Sequence, residues 1–196
     1  MKQGKTRWLL VGVLCLGLCP MVAASAQETR WDSIMDGAVE AYQQADYAQA
    51  EKLFLAALKE AEKFGEQDPR FATSLNNLAE LYLAQGKSEQ AEPLYRRALA
   101  IREKALGPEH SDVAQSLYIL ALFYHTQGHY AEAEPFFQRV LAIREKALGP
   151  EHPLVATFLE MYAGLLHKLN RDDEADKMEA RAQAIRAKHA EENPPK

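Results

Sequence analysis

Residues 99–110 read Leu-Ala-Ile-Arg-Glu-Lys-Ala-Leu-Gly-Pro-Glu-His, and residues 141–152 read the same twelve letters. A verbatim repeat at an offset of 42 means that the chain is built by stacking copies of one unit. Each unit of such an array buries its apolar face against its neighbours, and the stack offers a long surface for holding other molecules. Working outward from the repeat, small residues keep the same period. Ala79, Ala121 and Ala163 lie 42 apart, and Ala38 precedes Ala79 by 41; twelve residues after each come Ala50, Ala91, Ala133 and Ala175. Four units follow, at about 31–67, 68–109, 110–151 and 152–190.

Every unit reads as two amphipathic helices. Leu75, Leu78, Ala79 and Tyr82 fall at i, i+3, i+4 and i+7, one face of a helix, and Leu117, Leu120, Ala121 and Tyr124 repeat the pattern. The second helices carry the stripes Ala91, Leu94, Tyr95, Ala98 and Ala133, Phe136, Phe137, Val140. Small residues at facing positions let two backbones approach, and the aromatic fills the gap to the next unit. Gly86 and Gly128 supply the left-handed conformation that ends a helix, and Asn170 stands at their place in the fourth unit. There the aromatic of the second helix is replaced by Glu179, as expected where no further unit covers that face; Met178 and Ile185 are expected to pack back onto the fourth unit.

The ends read differently. Lys2, Lys5 and Arg7 precede the apolar run 8–18, which is short for a membrane span, and Ala24-Ser25-Ala26 offers a leader-peptidase site with Gln27 as the new start. Residues 1–26 are therefore expected to be a signal peptide, with retention as an uncleaved anchor as the alternative, and the product is expected in the periplasm or secreted. Residues 27–190 form the repeat domain, and 191–196 a flexible tail. Cys15 and Cys19 both lie in the leader, so 27–196 has no thiol chemistry. That segment holds 20 Lys and Arg against 28 Asp and Glu, a net of −8 that argues against nucleic-acid binding. No membrane span is expected in the mature chain.

The small–small–aromatic–small positions Ala79, Ala91, Tyr95, Ala98 and Ala121, Ala133, Phe137, Val140 resemble the tetratricopeptide repeat (TPR) over nearly all of 31–190. The common period of that family is about 34 residues. The 42 found here, with its extra length in the second helix and the Leu-Gly-Pro-Glu-His loop, resembles the kinesin light chain type. The resemblance implies an all-α fold, a right-handed superhelix of about four helix pairs, with the first helix of each pair lining a concave groove that holds a peptide or partner domain. The groove positions it implies include Asn76, Asn77 and Glu80 in the second unit and Tyr118, Ile119, Leu122, His125 and Thr126 in the third, together with Met35, Thr73, Gln115 and Glu160. Asn76 and Asn77 are suited to an extended peptide backbone, and Tyr118, Ile119, Leu122 and Met35 to apolar anchors. One type of TPR clamp for a terminal carboxylate needs Lys and Arg on the first helices; Met35, Val39, Gln115 and Ile119 stand at those places, and only Asn77 fits.

Catalytic patterns are missing. The sequence has no phosphate loop, nucleophile elbow or His-Glu-x-x-His helix, and Glu80 and Glu160 have no second group placed for acid–base work. His110 and His152 inherit their spacing from the repeat; His125 and His167 share one helix position and, with His129, read as exposed helix histidines rather than zinc ligands. No cofactor or metal is expected, and no enzymatic activity. The Arg-Glu-Lys runs 102–104 and 144–146 read as solvated ion pairs on the outer helix. The function expected is that of an exported scaffold for a protein or peptide partner. The alternative is a self-associating structural component of an envelope complex, a possible homo-oligomer, suggested by Tyr42, Met35 and the atypical first helix.

Overall fold

Pro20–Gln43 (α1), Tyr47–Ala61 (α2), Pro69–Ala84 (α3), Ser88–Leu106 (α4), Ser111–Thr126 (α5), Tyr130–Leu148 (α6), Pro153–Lys168 (α7) and Asp172–Glu192 (α8) follow one another, with one 3-10 turn at Glu62–Phe64. The computed structural model describes the backbone of residues 20–192 and the side chains of 30–192. The candidate leader lies outside the described residues over 1–19, as does the end of the expected tail, 193–196. The described helix α8 includes Glu191 and Glu192. No described helix is long and apolar enough to cross a membrane.

The main contacts between helices join chain neighbours: α1 on α2, α2 on α3, and so on to α7 on α8. Stability in such a stack is carried unit by unit and seam by seam. The seams are close because the residues at them are small. Ala38, Ala79, Ala121, Ala163 and Ala50, Ala91, Ala133, Ala175 are all fully buried. Phe54, Tyr95 and Phe137 fill the space behind them and are buried as well. Ile185 is buried and Met178 packs against the same core.

Turn chemistry fixes where each helix stops. Gly86, Gly128 and Asn170 have φ of 74°, 79° and 57°. Ala45 holds the same place in the first pair at φ 59°, a conformation that a Cβ disfavours. The other punctuation is at the helix starts. Asp68 Oδ1 accepts from the Arg70 amide at 2.9 Å, capping α3. His110 Nδ1 accepts from the Asp112 amide at 3.1 Å, and His152 Nδ1 from the Leu154 amide at 3.1 Å. These two histidines of the repeated loop are thus the N-caps of α5 and α7.

A second polar ladder ties unit to unit on the second helices. Tyr82 Oη donates to Glu51, Tyr124 Oη to Glu92, and Tyr162 Oη to Glu134 at 2.8 Å. Outside it, Glu103 pairs with Arg139 and Glu145 with Arg181, both at 2.6 Å, while Lys146 pairs with Glu109 and Lys188 with Glu151. The Glu and Lys of the repeated motif therefore form ion pairs between neighbouring units. Its Arg does something else.

Candidate functional site

The first helices α3 and α5 and the end of α4 enclose a cavity of about 470 Å³. Its lining includes Asn76, Asn77, Glu80, Tyr118, Ile119, Leu122 and Thr126, so seven of the eight expected groove residues share one hollow. His125 is not among them; its ring packs on Tyr130 at 5.3 Å. Thr73, Leu83, Gln115, Tyr95, Phe123 and Arg102 complete the wall. A smaller hollow of about 250 Å³ continues toward α1, between Val39, Tyr42, Asn77 and Glu80.

The apolar part of the wall is less open than its sequence implies. Tyr118 is half-buried, with its ring edge-on to Phe137 at 6.5 Å and to Phe158 at 5.8 Å. Leu122 is exposed. Met35 is no groove residue at all: it is 6% exposed and belongs to the core between α1, α2 and α3, because Ser74 and Leu78 of α3 close over it. That also removes Met35 from any exposed end face.

The polar part holds what the sequence reading missed. Asn76 is only 7% exposed, and its Oδ1 has no hydrogen-bond partner. A buried acceptor left unpaired costs free energy until something donates to it. Beside it, Arg102 reaches in from α4. Its Nη1 donates to Ser116 Oγ at 2.7 Å and to the Asp112 carbonyl at 3.5 Å, and its Nη2 donates to Thr73 Oγ1 at 3.3 Å. All three acceptors are uncharged. Among the described residues no carboxylate forms an ion pair with Arg102. Burial pushes this guanidinium below the ordinary arginine range, with the more distant Asp112 charge opposing. The groove thus holds a cation, supplied by a second helix, where the first-helix positions offered none.

Of the aligned arginines of the next units, only Arg186 meets a carboxylate; Arg144 meets none among the described residues, and its Nε is buried without a hydrogen-bond partner. Arg144 donates to Ser111 Oγ at 2.9 Å and lies over the Phe158 ring at 5.7 Å. Arg186 forms a two-pronged bond to Glu160, Nε to Oε1 at 2.8 Å and Nη2 to Oε2 at 2.7 Å. These bonds hold the Glu160 carboxyl below its usual range.

The histidines of the fourth unit take a different part from the one considered for them. His167 Nδ1 meets Asp172 Oδ1 at 2.7 Å and Nε2 meets Glu179 Oε1 at 3.3 Å. Among the described residues, His167, Asp176 and Glu179 are the group with metal-ligand atoms within 4.8 Å of one another. His125 stands apart from it, and Glu160 is held by Arg186. With carboxylates at both ring nitrogens, His167 is arranged as a charged imidazolium.

The model of the tetratricopeptide repeat family matches residues 37–104, 70–146 and 112–188. The chain is a tetratricopeptide repeat protein. Among solved structures, BtubC (BKLC) from P. vanneervenii is similar with a TM-score of 0.75 and 23% identity, over 87% of this chain and 68% of that one. A P. anserina kinesin light chain with nearly identical TPR-like repeats is similar with a TM-score of 0.71 and 28% identity, over 81% of this chain and 76% of that one. The MamA protein shares the fold with a TM-score of 0.53 and 14% identity, over 85% of this chain and 97% of that one. No curated protein matches. The TPR superhelix, in its kinesin light chain-like form, is therefore the fold of this chain, and TPR proteins as a family mediate protein–protein interactions.

Proposed function

We propose that this TPR protein is an exported adaptor whose groove holds an extended segment of a partner protein, with an acidic side chain of that segment seated on Arg102. The observation that carries the reading is Arg102 itself. A half-buried guanidinium that donates only to hydroxyls and a carbonyl keeps most of its electrostatic demand unmet. A ligand carboxylate meets it with charge-assisted bonds, each stronger than the neutral bonds already present. One further feature suits an extended chain: Asn77 lies between the two hollows, where its amide can bond a peptide group. Ile119 and Leu122 offer the same segment an apolar floor.

Export rests on the order of basic start, apolar run and small-x-small site in 1–26, and the periplasm suits a chain whose cysteines all precede Gln27. Mass spectrometry of the protein recovered from the cell envelope tests this part: a chain beginning at Gln27 supports it, and an intact Met1 start in the cytoplasm overturns it.

The binding part is tested by anisotropy with fluorescent capped peptides that carry one aspartate among apolar residues. Arg102→Ala should weaken binding about 10- to 100-fold, the loss of charge-assisted bonds, with helicity unchanged. Asn77→Ala should weaken acidic and neutral peptides alike. Tyr118 is a poor site for such a test, because its ring also packs on Phe137 and Phe158. Equal affinity of Arg102→Ala and the parent chain for the acidic peptide defeats the reading.

A further inference from the structure

The three arginines of the motif stand on the same part of their helices, and the residue facing each from its first helix differs. Asn76 in the second unit, Tyr118 in the third and Glu160 in the fourth are spaced by 42. Arg102 and Arg186 share one contact: each donates to the threonine one turn before that residue, Thr73 at 3.3 Å and Thr157 at 3.4 Å. The difference is the carboxylate. Glu160 lies across the Arg186 guanidinium with both oxygens engaged, while Asn76 offers Arg102 no carboxylate and only the unbonded Asp112 charge acts on it. In the third unit Arg144 is covered by the Phe158 ring, against which Tyr118 sets its edge.

We infer that Glu160 is a built-in occupant of the fourth unit's carboxylate seat, so that the groove accepts an acidic residue at the second unit and refuses one at the fourth. The inference rests on the proposed role of the groove and says how it selects a register. Its physical basis is competition. The pair is exposed on both sides, so its intrinsic strength is modest. A carboxylate tethered to the same fold nevertheless acts at an effective concentration in the millimolar range or above, which a separate weak ligand does not match. Tyr118 and Phe158 close the third seat by bulk. A segment with one acid then has one place to put it, and the rest of the segment is aligned by that choice. The contact inside the fourth unit is also a picture of the one expected at Arg102: two parallel bonds to a carboxylate with a threonine hydroxyl beside them.

Arginine Nε–Hε resonances report on each guanidinium separately. The probe is N-acetyl-aspartate amide, titrated into the nitrogen-15-labelled chain and its Glu160→Asn and Asn76→Glu variants, with circular dichroism as the check on folding. In the parent chain the Arg102 signal should move saturably and the Arg186 signal should stay still. In Glu160→Asn the Arg186 signal should become responsive, with an affinity about tenfold or more above its parent value, and Arg102 should respond as before. In Asn76→Glu the Arg102 response should vanish, because the new carboxylate occupies it. Glu160 is exposed enough that its variant keeps the fold, so the inference does not depend on the buried Asn76 position. An Arg186 signal that responds equally in parent and Glu160→Asn overturns the inference, as does one silent in both while Arg102 responds. A silent Arg102 in the parent beside a newly responsive Arg186 in Glu160→Asn defeats the second-unit seat and keeps the gate. Silence at both arginines in every chain defeats both.

Discussion

Trp31 Nε1 donates to Ser74 Oγ at 3.0 Å, a bond that joins the first unit to the second across 43 residues of chain. Ser74 is fully buried and passes the bond on, donating to the Arg70 carbonyl at 2.9 Å. Ser74→Ala leaves the indole N–H without its partner in a half-buried seam. The expected cost is about 1 kcal/mol, read as a lower urea midpoint with unchanged slope. Trp31 emission should shift to the red as water reaches the indole. An unaltered midpoint would show that this bond adds nothing to the seam.

Ala45 adopts the left-handed conformation that Gly86, Gly128 and Asn170 adopt in the later units. A Cβ there costs about 1–2 kcal/mol, partly offset because glycine loses more freedom on folding. Ala45→Gly should therefore stabilise the chain by about 0.5–1 kcal/mol, raising Tm by about 1–4 °C. Gly86→Ala is the mirror experiment. No atom lies within 4 Å of the added Cβ, so its expected loss of about 1 kcal/mol is backbone strain alone. If both variants melt with the parent, the turn is looser than its dihedrals imply.

His152 caps α7 with Nδ1, where Asp68 caps α3 with a carboxylate. A carboxylate is the better cap, and its charge also suits the positive end of the helix. His152→Asp should add about 0.5–1 kcal/mol, while His152→Ala should lose about 1 kcal/mol. His152 is the cleaner site of the two, since the amide it caps belongs to Leu154, whereas at His110 a new carboxylate would stand beside Asp112. Thermal melts at one pH check the order Asp, His, Ala.

The alanine rows carried the fold into view because their period survives in all four units and each position is occupied by a residue small enough for a close seam. The lining of the main hollow followed from the same register for Asn77, Glu80, Ile119, Leu122 and Thr126. Arg102 did not follow. A helical wheel puts it beside buried Ile101 on the outer helix, but the end of α4 lies next to the start of α5, and a long side chain crosses that distance to Ser116. The recurrence of Arg at 102, 144 and 186 was the available signal, and its meaning depends on what faces each one. Met35 was misplaced for the reverse reason: its helix position is a groove position, yet α3 closes over it in the first unit. The capping histidines were hidden in a loop read as a connector, although Asp68 stands at the same place before α3.

His167 links the end of α7 to α8 through Asp172 and Glu179, and the link responds to pH. The hydrogen bond to Asp172 is the largest cause that holds the imidazole above its ordinary range; desolvation, the next in size, opposes it, and the bond to Glu179 and the charges of both acids add to the rise. Because the folded value is raised, the contribution of this group to stability is complete below the ordinary value of 6.5 and is lost as pH rises through the higher folded value. The His167 ring protons should titrate with a midpoint above that of an unstructured histidine. Asp172→Asn should bring the midpoint down, because it removes the largest cause of the rise. The parent chain should also melt at a falling temperature as pH is raised from 6 through that midpoint, with a smaller fall in Asp172→Asn. A His167 midpoint at or below the ordinary value would mean that the imidazole and the two carboxylates do not hold this geometry in solution.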